Sequence, residues 1–237
     1  MDRQYDYETR YFELSQSRDA TFNKFLLPFV LDSISEYIEI KGPAIDILDV
    51  GCGCGYLTQC IAKEFPQSKV EGIDSSEVAI ACAENNCNKF RFKLKNVNFK
   101  LQDVVNLHEN RKYDAVVYNM VLHNLSELEK TISKTSNILK ENGIVVITMP
   151  HPAFWMSDKI TRGKITLTDP FNYNLEKTYK IPFQINHGSR HHIELTYYHR
   201  RLTTYLNIFS RYLRLVDFQE VDFKDGYPTM LRIVLEN

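Results

Sequence analysis

The sequence lacks the segments that would bring a chain to a membrane or to a polyanion. No apolar run approaches the roughly 20 residues that a membrane-spanning helix needs. The first residues, MDRQYD, are too polar to begin a signal peptide. The formal net charge is −1, so we expect no general attraction to nucleic acid or to an anionic membrane. These absences together favour a cytoplasmic protein.

The cysteines are few, and their spacing does not indicate disulfide bonds or a metal site. The chain has five cysteines, an odd number, and Cys52 and Cys54 are spaced C-x-C rather than in paired C-x-x-C motifs. This pattern favours reduced thiols over disulfides or a zinc site. The remaining composition is ordinary for a globular protein, with 43% hydrophobic and 25% charged residues.

The most informative stretch joins a strand to a glycine-rich turn. The apolar run 45–50 is typical of a strand buried on both faces of a parallel sheet. Gly51, Gly53 and Gly55 follow it. Because glycine accepts positive φ and carries no Cβ, this spacing predicts a tight turn beneath a bound small molecule. A helix should begin near Tyr56, with its free N–H groups and positive dipole end facing the same ligand.

The spacing of the glycines narrows the identity of this ligand. The dinucleotide fingerprint G-x-G-x-x-G needs a glycine where Tyr56 stands, and no Gly-Lys-Ser/Thr follows to form a phosphate loop. The remaining pattern, D-x-G-x-G-x-G from Asp49 to Gly55, resembles motif I of the class I S-adenosylmethionine-dependent methyltransferases. The resemblance implies S-adenosyl-L-methionine as cofactor and S-adenosyl-L-homocysteine as product.

Acidic residues at the next two strand ends fit this resemblance. Asp74 ends the predicted strand 69–74, about 20 residues after the turn, the separation at which a strand-end carboxylate reaches a ribose. Asp74 could also begin the helix that follows Ser75, and the two roles can coexist. Beyond the next predicted strand, the resemblance places Asp103 beside the exocyclic amine of the adenine and the backbone N–H of Val104 beside its ring.

The fourth predicted strand, 113–118, opens a second motif. The pattern Y-D-x-V-x-x-x-x-x-L-H-x-L, from Tyr113 to Leu125, resembles motif IV of the small-molecule methyltransferases. It departs from N-P-P-Y, the tetrapeptide of enzymes that methylate amino groups in DNA or protein glutamine. The resemblance places Asn119 near the methionyl part of the cofactor. It leaves two alternatives for His123, which either faces the substrate or packs at the top of a helix.

The alternation of strand and helix patterns predicts an α/β fold with a doubly wound parallel sheet. Its ligand crevice should lie outside the carboxyl ends of the strands. The resemblance implies a Rossmann-like seven-stranded sheet in the order 3-2-1-4-5-7-6, with the last strand antiparallel. One methyltransferase domain would then comprise a helical cap (1–42), a cofactor-binding core (43–150), a substrate lid inserted after strand 5 (151–200) and a segment that completes the sheet (201–237).

The expected cofactor site follows from these motifs. In small-molecule methyltransferases a helical segment near the N-terminus folds over the cofactor, and the resemblance places Tyr11 at the methionyl carboxylate. Alternatively, Tyr11 is one more aromatic residue of the cap. The predicted set is Tyr11, Asp49, Gly51, Gly53, Gly55, Asp74, Ser75, Asp103, Val104 and Asn119. No metal is expected, because the H-x-x-x-D spacing of magnesium-dependent catechol-type methyltransferases is absent.

Methyl transfer from a sulfonium is an in-line displacement, so orientation should supply most of the catalysis. Holding the reactants in line supplies about 7–11 kcal/mol, whereas a general base contributes about 3–5 kcal/mol. The candidate bases are His123 and His151, of which the second stands in a proline-flanked corner after strand 5. Trp155 of the same corner, with Tyr197 and His199 of the lid, is predicted to contact the substrate.

The leading hypothesis is a methyltransferase that acts on O or N of a small molecule, as a monomer or homodimer, without a nucleic acid or membrane partner. Two alternatives stay open. Segment 187–214 contains five arginines and four of the seven histidines, which would suit an RNA (tRNA) methyltransferase with a salt-sensitive complex. A non-catalytic, cofactor-binding regulatory subunit would keep the same glycines and aspartates, so only a turnover assay separates it from an enzyme.

Overall fold

The computed structural model describes residues 21–88, 94–107, 111–161, 167, 170–184, 192–221 and 226–237. Tyr11 and residues 187–191 of the basic segment lie outside the described residues. The strands are β1 (Asp46–Val50), β2 (Lys69–Asp74), β3 (Val97–Leu101), β4 (Tyr113–Asn119), β5 (Leu139–Pro150), β6 (Thr178–Gln184), β7 (His192–Tyr198), β8 (Arg214–Val221) and β9 (Met230–Glu236). The helices are α1 (Thr21–Lys41), α2 (Tyr56–Glu64), α3 (Glu77–Asn88), α4 (Leu128–Ile138), α5 (Trp155–Thr161) and α6 (Leu202–Tyr212), with 3₁₀ turns η1 (Val104–Asn106) and η2 (Leu122–Asn124).

Seven strands form one sheet in the order β3-β2-β1-β4-β5-β9-β8. The pairs from β3 to β5 are all parallel, whereas β9 runs antiparallel to both β5 and β8. Numbered within this sheet alone, the order is 3-2-1-4-5-7-6 with the last strand antiparallel, so the predicted fold is confirmed. The strand order reverses between β1 and β4, and a ligand crevice is expected outside their carboxyl ends.

Apolar side chains cover both faces of the central strands. On β4, Val116 and Tyr118 belong to one buried cluster, which also contains residues of α4 and α6. Ala115 and Val117 face the other way, into a cluster with residues of α1 and α2. Burial on both faces explains why the central strands are nearly continuous apolar runs rather than alternating patterns.

The N-terminal helix α1 packs on one face of the sheet. It continues through Pro28, and its residues Val30 and Ile34 are fully buried. Gly42, with φ of 93°, ends it by donating its N–H to the Ile38 carbonyl at 2.8 Å. No described helix, α1 included, is long and apolar enough to cross a membrane. The division of the chain into cap, core, lid and closing segment stays a prediction.

Strands β6 and β7 form a separate antiparallel sheet of two strands. Along the chain they come after β5 and α5 and before α6. It packs on α5 through a small apolar cluster of Met156, Tyr179, Ile181 and Tyr197. Strand β7 also contacts η2, the turn that follows β4. The pair therefore lies beside the carboxyl end of the central sheet, where the crevice is expected.

Candidate active site

The glycine turn after β1 requires glycine for steric reasons. Gly51, Gly53 and Gly55 have φ values of 69°, 53° and 75°, the left-handed region. A Cβ on Gly51 would lie 2.6 Å from a methyl carbon of Val121, and one on Gly55 would lie 2.6 Å from the ring of Phe99. The predicted turn is therefore tight, and side chains from β3 and from the end of β4 enclose it.

Asp49 lies beneath this turn rather than in the open crevice. Its side chain is buried, and its Oδ2 accepts a 2.6 Å hydrogen bond from the Thr58 hydroxyl of α2. Burial raises the pKa of Asp49 to about 7. The negative charge of Asp74 also raises this pKa, whereas the hydrogen bond from Thr58 lowers it. Within the described contacts Asp49 ties β1 to α2, and its direct role in cofactor binding stays a prediction.

Asp74, at the end of β2, is half-buried and binds the glycine turn through its carboxylate. Oδ2 accepts from the Gly53 N–H and Oδ1 from the Ser76 N–H, both at 2.9 Å. The Ser76 hydroxyl in turn accepts from the Ala79 N–H at 3.3 Å. Ser76 therefore caps the N-terminus of α3, and the Asp74 carboxylate can begin this helix and still accept other hydrogen bonds. Burial raises the pKa of Asp74, while the backbone N–H groups lower it. The Ser75 N–H also bonds this carboxylate, so of its about four acceptor positions those that the backbone leaves open are available to the ribose.

Two further strand ends complete the predicted cofactor set. Asp103, after β3, is exposed, and its Oδ1 accepts from the Val105 N–H at 3.0 Å at the start of η1. Val104 is buried beside it. Asn119, at the end of β4, accepts a 2.6 Å hydrogen bond from the Thr148 hydroxyl through its Oδ1, which fixes the orientation of its amide. Ser75 is exposed next to Asp74.

A strained residue that the sequence did not reveal follows Asn119. Met120 has φ of 62°, uncommon for a residue with a side chain, and its N–H donates to the Thr148 carbonyl at 2.8 Å. Such a conformation costs about 1–3 kcal/mol and is usually retained at functional sites. It turns the chain so that Val121 reaches Gly51, and η2 with His123 follows immediately.

His151, the first candidate base, has both ring nitrogens engaged. The Ala153 N–H donates to Nδ1 at 3.1 Å, so the proton of the neutral ring resides on Nε2, which donates to Glu220 Oε1 at 2.8 Å. Burial lowers the pKa of His151, although the Glu220 carboxylate raises it. To accept a proton from a substrate, His151 would have to break one of these bonds. Its catalytic role stays a prediction, and the described contacts support a structural corner.

His123, the second candidate, lies in η2 against Tyr197 of β7. Its ring is 7% exposed, its Nδ1 has no hydrogen-bond partner among the described residues, and its ring centroid is 5.7 Å from that of Tyr197. Burial lowers the pKa of His123 to about 3. A base of that strength takes up a proton poorly near neutral pH, so the neutral ring is suited to orient an acceptor by a hydrogen bond.

The predicted substrate residues gather around the ring of Tyr197. Trp155 and Tyr197 stack with centroids 5.6 Å apart, and Tyr197 and His199 stack at 6.2 Å. His199 Nε2 donates to the Tyr173 carbonyl at 2.9 Å, which leaves Nδ1 as an acceptor. That nitrogen and the Trp155 Nε1 are buried without a described partner. We call His123, Trp155, Tyr197 and His199 the aromatic cluster. The His151 ring contacts Phe154 and Glu220 instead, although its carbonyl accepts from the Trp155 N–H at 3.0 Å.

The cysteine prediction is wrong. Cys54 of the glycine turn and Cys82 of α3 form a disulfide, and Cys52 is buried beside them as a thiol. The spacing in the sequence could not reveal this pair, because it forms only when α3 packs against the turn. Asn86, one helical turn beyond Cys82, donates to the Cys54 carbonyl at 3.3 Å and stabilises that packing.

Residues 41–192 match a family model described as a methyltransferase domain. The chain belongs to the methyltransferase domain family. The predicted membership of the class I S-adenosylmethionine-dependent methyltransferases is confirmed, and with it the cofactor of the class. The residues present fit that cofactor, because the glycine turn leads directly into the N-terminus of α2 and the carboxylate of Asp74 is hydrogen-bonded to the Gly53 N–H of the same turn.

Similar proteins agree with this assignment. The malonyl-[acyl-carrier protein] O-methyltransferase of Acetivibrio thermocellus is 32% identical over 131 residues, which are 54% of this chain and 44% of that protein. This methyltransferase thus spans about half the length of the curated relatives it matches. The structure of the PH0226 protein from Pyrococcus horikoshii aligns with a TM-score of 0.73 at 16% identity, covering 100% of this chain and 99% of that one. N-methyltransferase NodS from Bradyrhizobium japonicum, in complex with S-adenosylhomocysteine, aligns with a TM-score of 0.58 at 15% identity, covering 98% and 99%.

Proposed function

We propose that this protein transfers the methyl group of S-adenosylmethionine to an oxygen or nitrogen atom of a small molecule. The observation that carries the proposal is the meeting of two features at the carboxyl end of the sheet. The glycine turn with Asp74 forms one side, and the aromatic cluster, which includes three residues of the predicted lid, forms the other. Val121, which precedes the turn that contains His123, lies against Gly51 and so joins the two sides. The relative from Acetivibrio thermocellus is an O-methyltransferase, which supports an oxygen acceptor.

The proposed mechanism assigns binding and orientation to the residues of this chain. S-adenosylmethionine, when bound, supplies a methyl group on a positively charged sulfur. Asp74 would accept hydrogen bonds from the ribose hydroxyls, and Asp103 would accept one from the adenine amine. The N-terminal N–H groups of α2 would face the cofactor across the glycine turn. Asn119, whose amide the Thr148 hydroxyl orients, would contact the methionyl part.

On the acceptor side, the aromatic cluster would exclude water and fix the acceptor in line with the methyl group. In-line orientation is worth about 7–11 kcal/mol, more than the roughly 3–5 kcal/mol of a general base. His123 would receive a hydrogen bond from the acceptor through a ring that stays neutral, since burial lowers its pKa to about 3. Because orientation contributes more than a general base, the reaction can proceed without a strong base.

The test combines binding and turnover. Calorimetry with S-adenosylhomocysteine should show a single site that Asp103→Ala weakens and Glu141→Gln, an exposed residue outside the site, leaves unchanged. Transfer of a labelled methyl group should then be screened over hydroxyl, carboxyl and amine acceptors. Folded protein that retains neither S-adenosylmethionine nor its demethylated product at millimolar concentration would refute the proposal. Binding without any turnover would favour the regulatory subunit.

The RNA alternative receives less support from the basic segment. Arg201, Arg211 and Arg214 each pair with a glutamate, and His199 is buried. These arginines therefore have part of their charge neutralised within the protein, which weakens a phosphate-binding surface. A salt-sensitive complex with tRNA would revive that alternative. A cytoplasmic location and a monomeric or homodimeric state stay predictions.

A further inference from the structure

Arg200, between β7 and α6, differs from the other described arginines of its segment. Its Nη2 donates to the carbonyls of Leu125 and Ser126, both at 2.7 Å, and its guanidinium carbon lies 5.5 Å from the ring centroid of Tyr198. Its Nη1 is buried without a hydrogen-bond partner. Among the described residues, no carboxylate pairs with Arg200 within the distance that joins Arg201 to Glu176 or Arg211 to Glu129.

The position of this guanidinium is fixed next to the aromatic cluster. The two carbonyls that hold it belong to the residues directly after η2, which contains His123. On its other side, Arg200 makes a hydrogen bond with the Tyr205 hydroxyl, and its positive charge lowers the pKa values of Tyr197 and Tyr205 against the burial that raises them. Arg200 therefore stands at the edge of the cluster formed by His123, Tyr197 and His199.

Unsatisfied polar atoms concentrate at this place. Six buried side-chain nitrogen or oxygen atoms in the described part of the chain lack a partner, and four of them are His123 Nδ1, Trp155 Nε1, His199 Nδ1 and Arg200 Nη1. Buried polar groups without partners are rare in native proteins because each is destabilising. Their concentration beside stacked aromatic rings indicates a site whose ligand supplies the missing partners.

We propose that Arg200 is a specificity-determining residue that recognises a carboxylate on the methyl acceptor through its unpartnered Nη1. This inference rests on the proposed function and adds the acceptor class to it. A guanidinium offers planar, directed donors that match a carboxylate better than an ammonium group does. Glu176, the carboxylate whose charge reaches His199 and Tyr205, is already bonded to the Arg201 N–H at 2.9 Å and to the Thr204 hydroxyl.

The experiment uses the fluorescence of Trp155, the only tryptophan in the chain. The protein saturated with S-adenosylhomocysteine is titrated with 3-phenylpropanoate and, separately, with the uncharged 3-phenylpropanamide. We expect the carboxylate to bind about ten- to a hundredfold more tightly than the amide, because a hydrogen bond to a charged group is lost with the amide. Arg200→Gln should abolish this preference, and Arg200→Lys should retain part of it.

Two controls separate the possible failures. Arg211→Gln, in the same segment but paired with Glu129 at the surface, should leave the preference unchanged. Calorimetry with S-adenosylhomocysteine on each variant shows whether the Arg200 substitutions keep the cofactor site folded. If Arg200→Gln loses cofactor binding, the test uses the preference of Arg200→Lys and that of the wild type instead. Equal affinities of the two probes for the wild type, no binding of the carboxylate, or a preference that survives Arg200→Gln would overturn the inference. Loss of cofactor binding by the wild type would instead refute the proposed function.

Discussion

Asp74 offers the sharpest test of the cofactor site, because one carboxylate is proposed to serve both the ribose and the glycine turn. Asp74→Ala removes the acceptors of two ribose hydroxyls, and a hydrogen bond to a charged group is worth about 1.5–3 kcal/mol. Two such bonds give a loss of about 3–6 kcal/mol in the binding free energy of S-adenosylhomocysteine. Because Asp74 is half-buried and water replaces part of the interaction, we take about 1.4 kcal/mol, a tenfold weaker Kd, as the minimum.

The same substitution also removes the acceptor of the Gly53 N–H, so a weaker Kd alone would not identify the ribose. A double-mutant cycle solves this problem. Isothermal calorimetry should compare S-adenosylhomocysteine with its 2′-deoxyribose analogue on the wild type and on Asp74→Ala. If the carboxylate contacts the ribose, the two losses are strongly non-additive. Ser76→Ala is the matched control, since it removes the hydroxyl cap of α3 and leaves the carboxylate in place. Additive losses, or a Kd unchanged by Asp74→Ala, would refute the ribose assignment.

Three further predictions concern the turn, the disulfide and the buried histidine. Gly55→Ala should weaken binding of S-adenosylhomocysteine in calorimetry, because its Cβ would lie 2.6 Å from the Phe99 ring at φ of 75°; unchanged affinity would contradict a tight turn. Cys82→Ser should lower the free energy of unfolding in urea by about 3–4 kcal/mol under non-reducing conditions and by much less with reductant, since the bond to Cys54 closes a loop of 28 residues. Burial lowers the pKa of His123 to about 3, so the unfolded chain is protonated first and the free energy of unfolding should fall below about pH 6.5, by up to ~1.4 kcal/mol per pH unit. His123→Gln should remove this part of the fall, and an unchanged pH profile would show that the ring is not buried.

The cofactor side of the site was predictable because its signals are local. Strand β1 is an uninterrupted apolar run, the three glycines follow within a few residues, and Asp74 ends the next strand. In a parallel sheet, these strand ends must meet at one edge. The strand order of the sheet was also predictable, because the motifs resemble those of the class I methyltransferases, which share this order. No knowledge of distant packing was needed for either result.

Contacts between distant parts of the chain were not predictable from the sequence. His151 meets Glu220 across 69 residues, and Cys54 meets Cys82 across 28. Neither pair has a spacing that local patterns detect, because the packing of helices and strands brings the partners together. The segment around Arg200 was recognised as basic, but only the structure separates the arginine with an unpartnered nitrogen from those paired with glutamates.

One short segment links the cofactor side of the site to the acceptor side. From Asn119 to His123 the chain leaves β4, passes through Met120 at φ of 62°, brings Val121 against Gly51 and enters η2. A regular continuation of the strand would not place both contacts on one five-residue segment. The Met120 conformation costs about 1–3 kcal/mol, and the packing of Val121 on one side and of His123 on the other offsets this cost. Because the His123 ring packs on Tyr197, this one segment connects the glycine turn to the aromatic cluster by direct contacts.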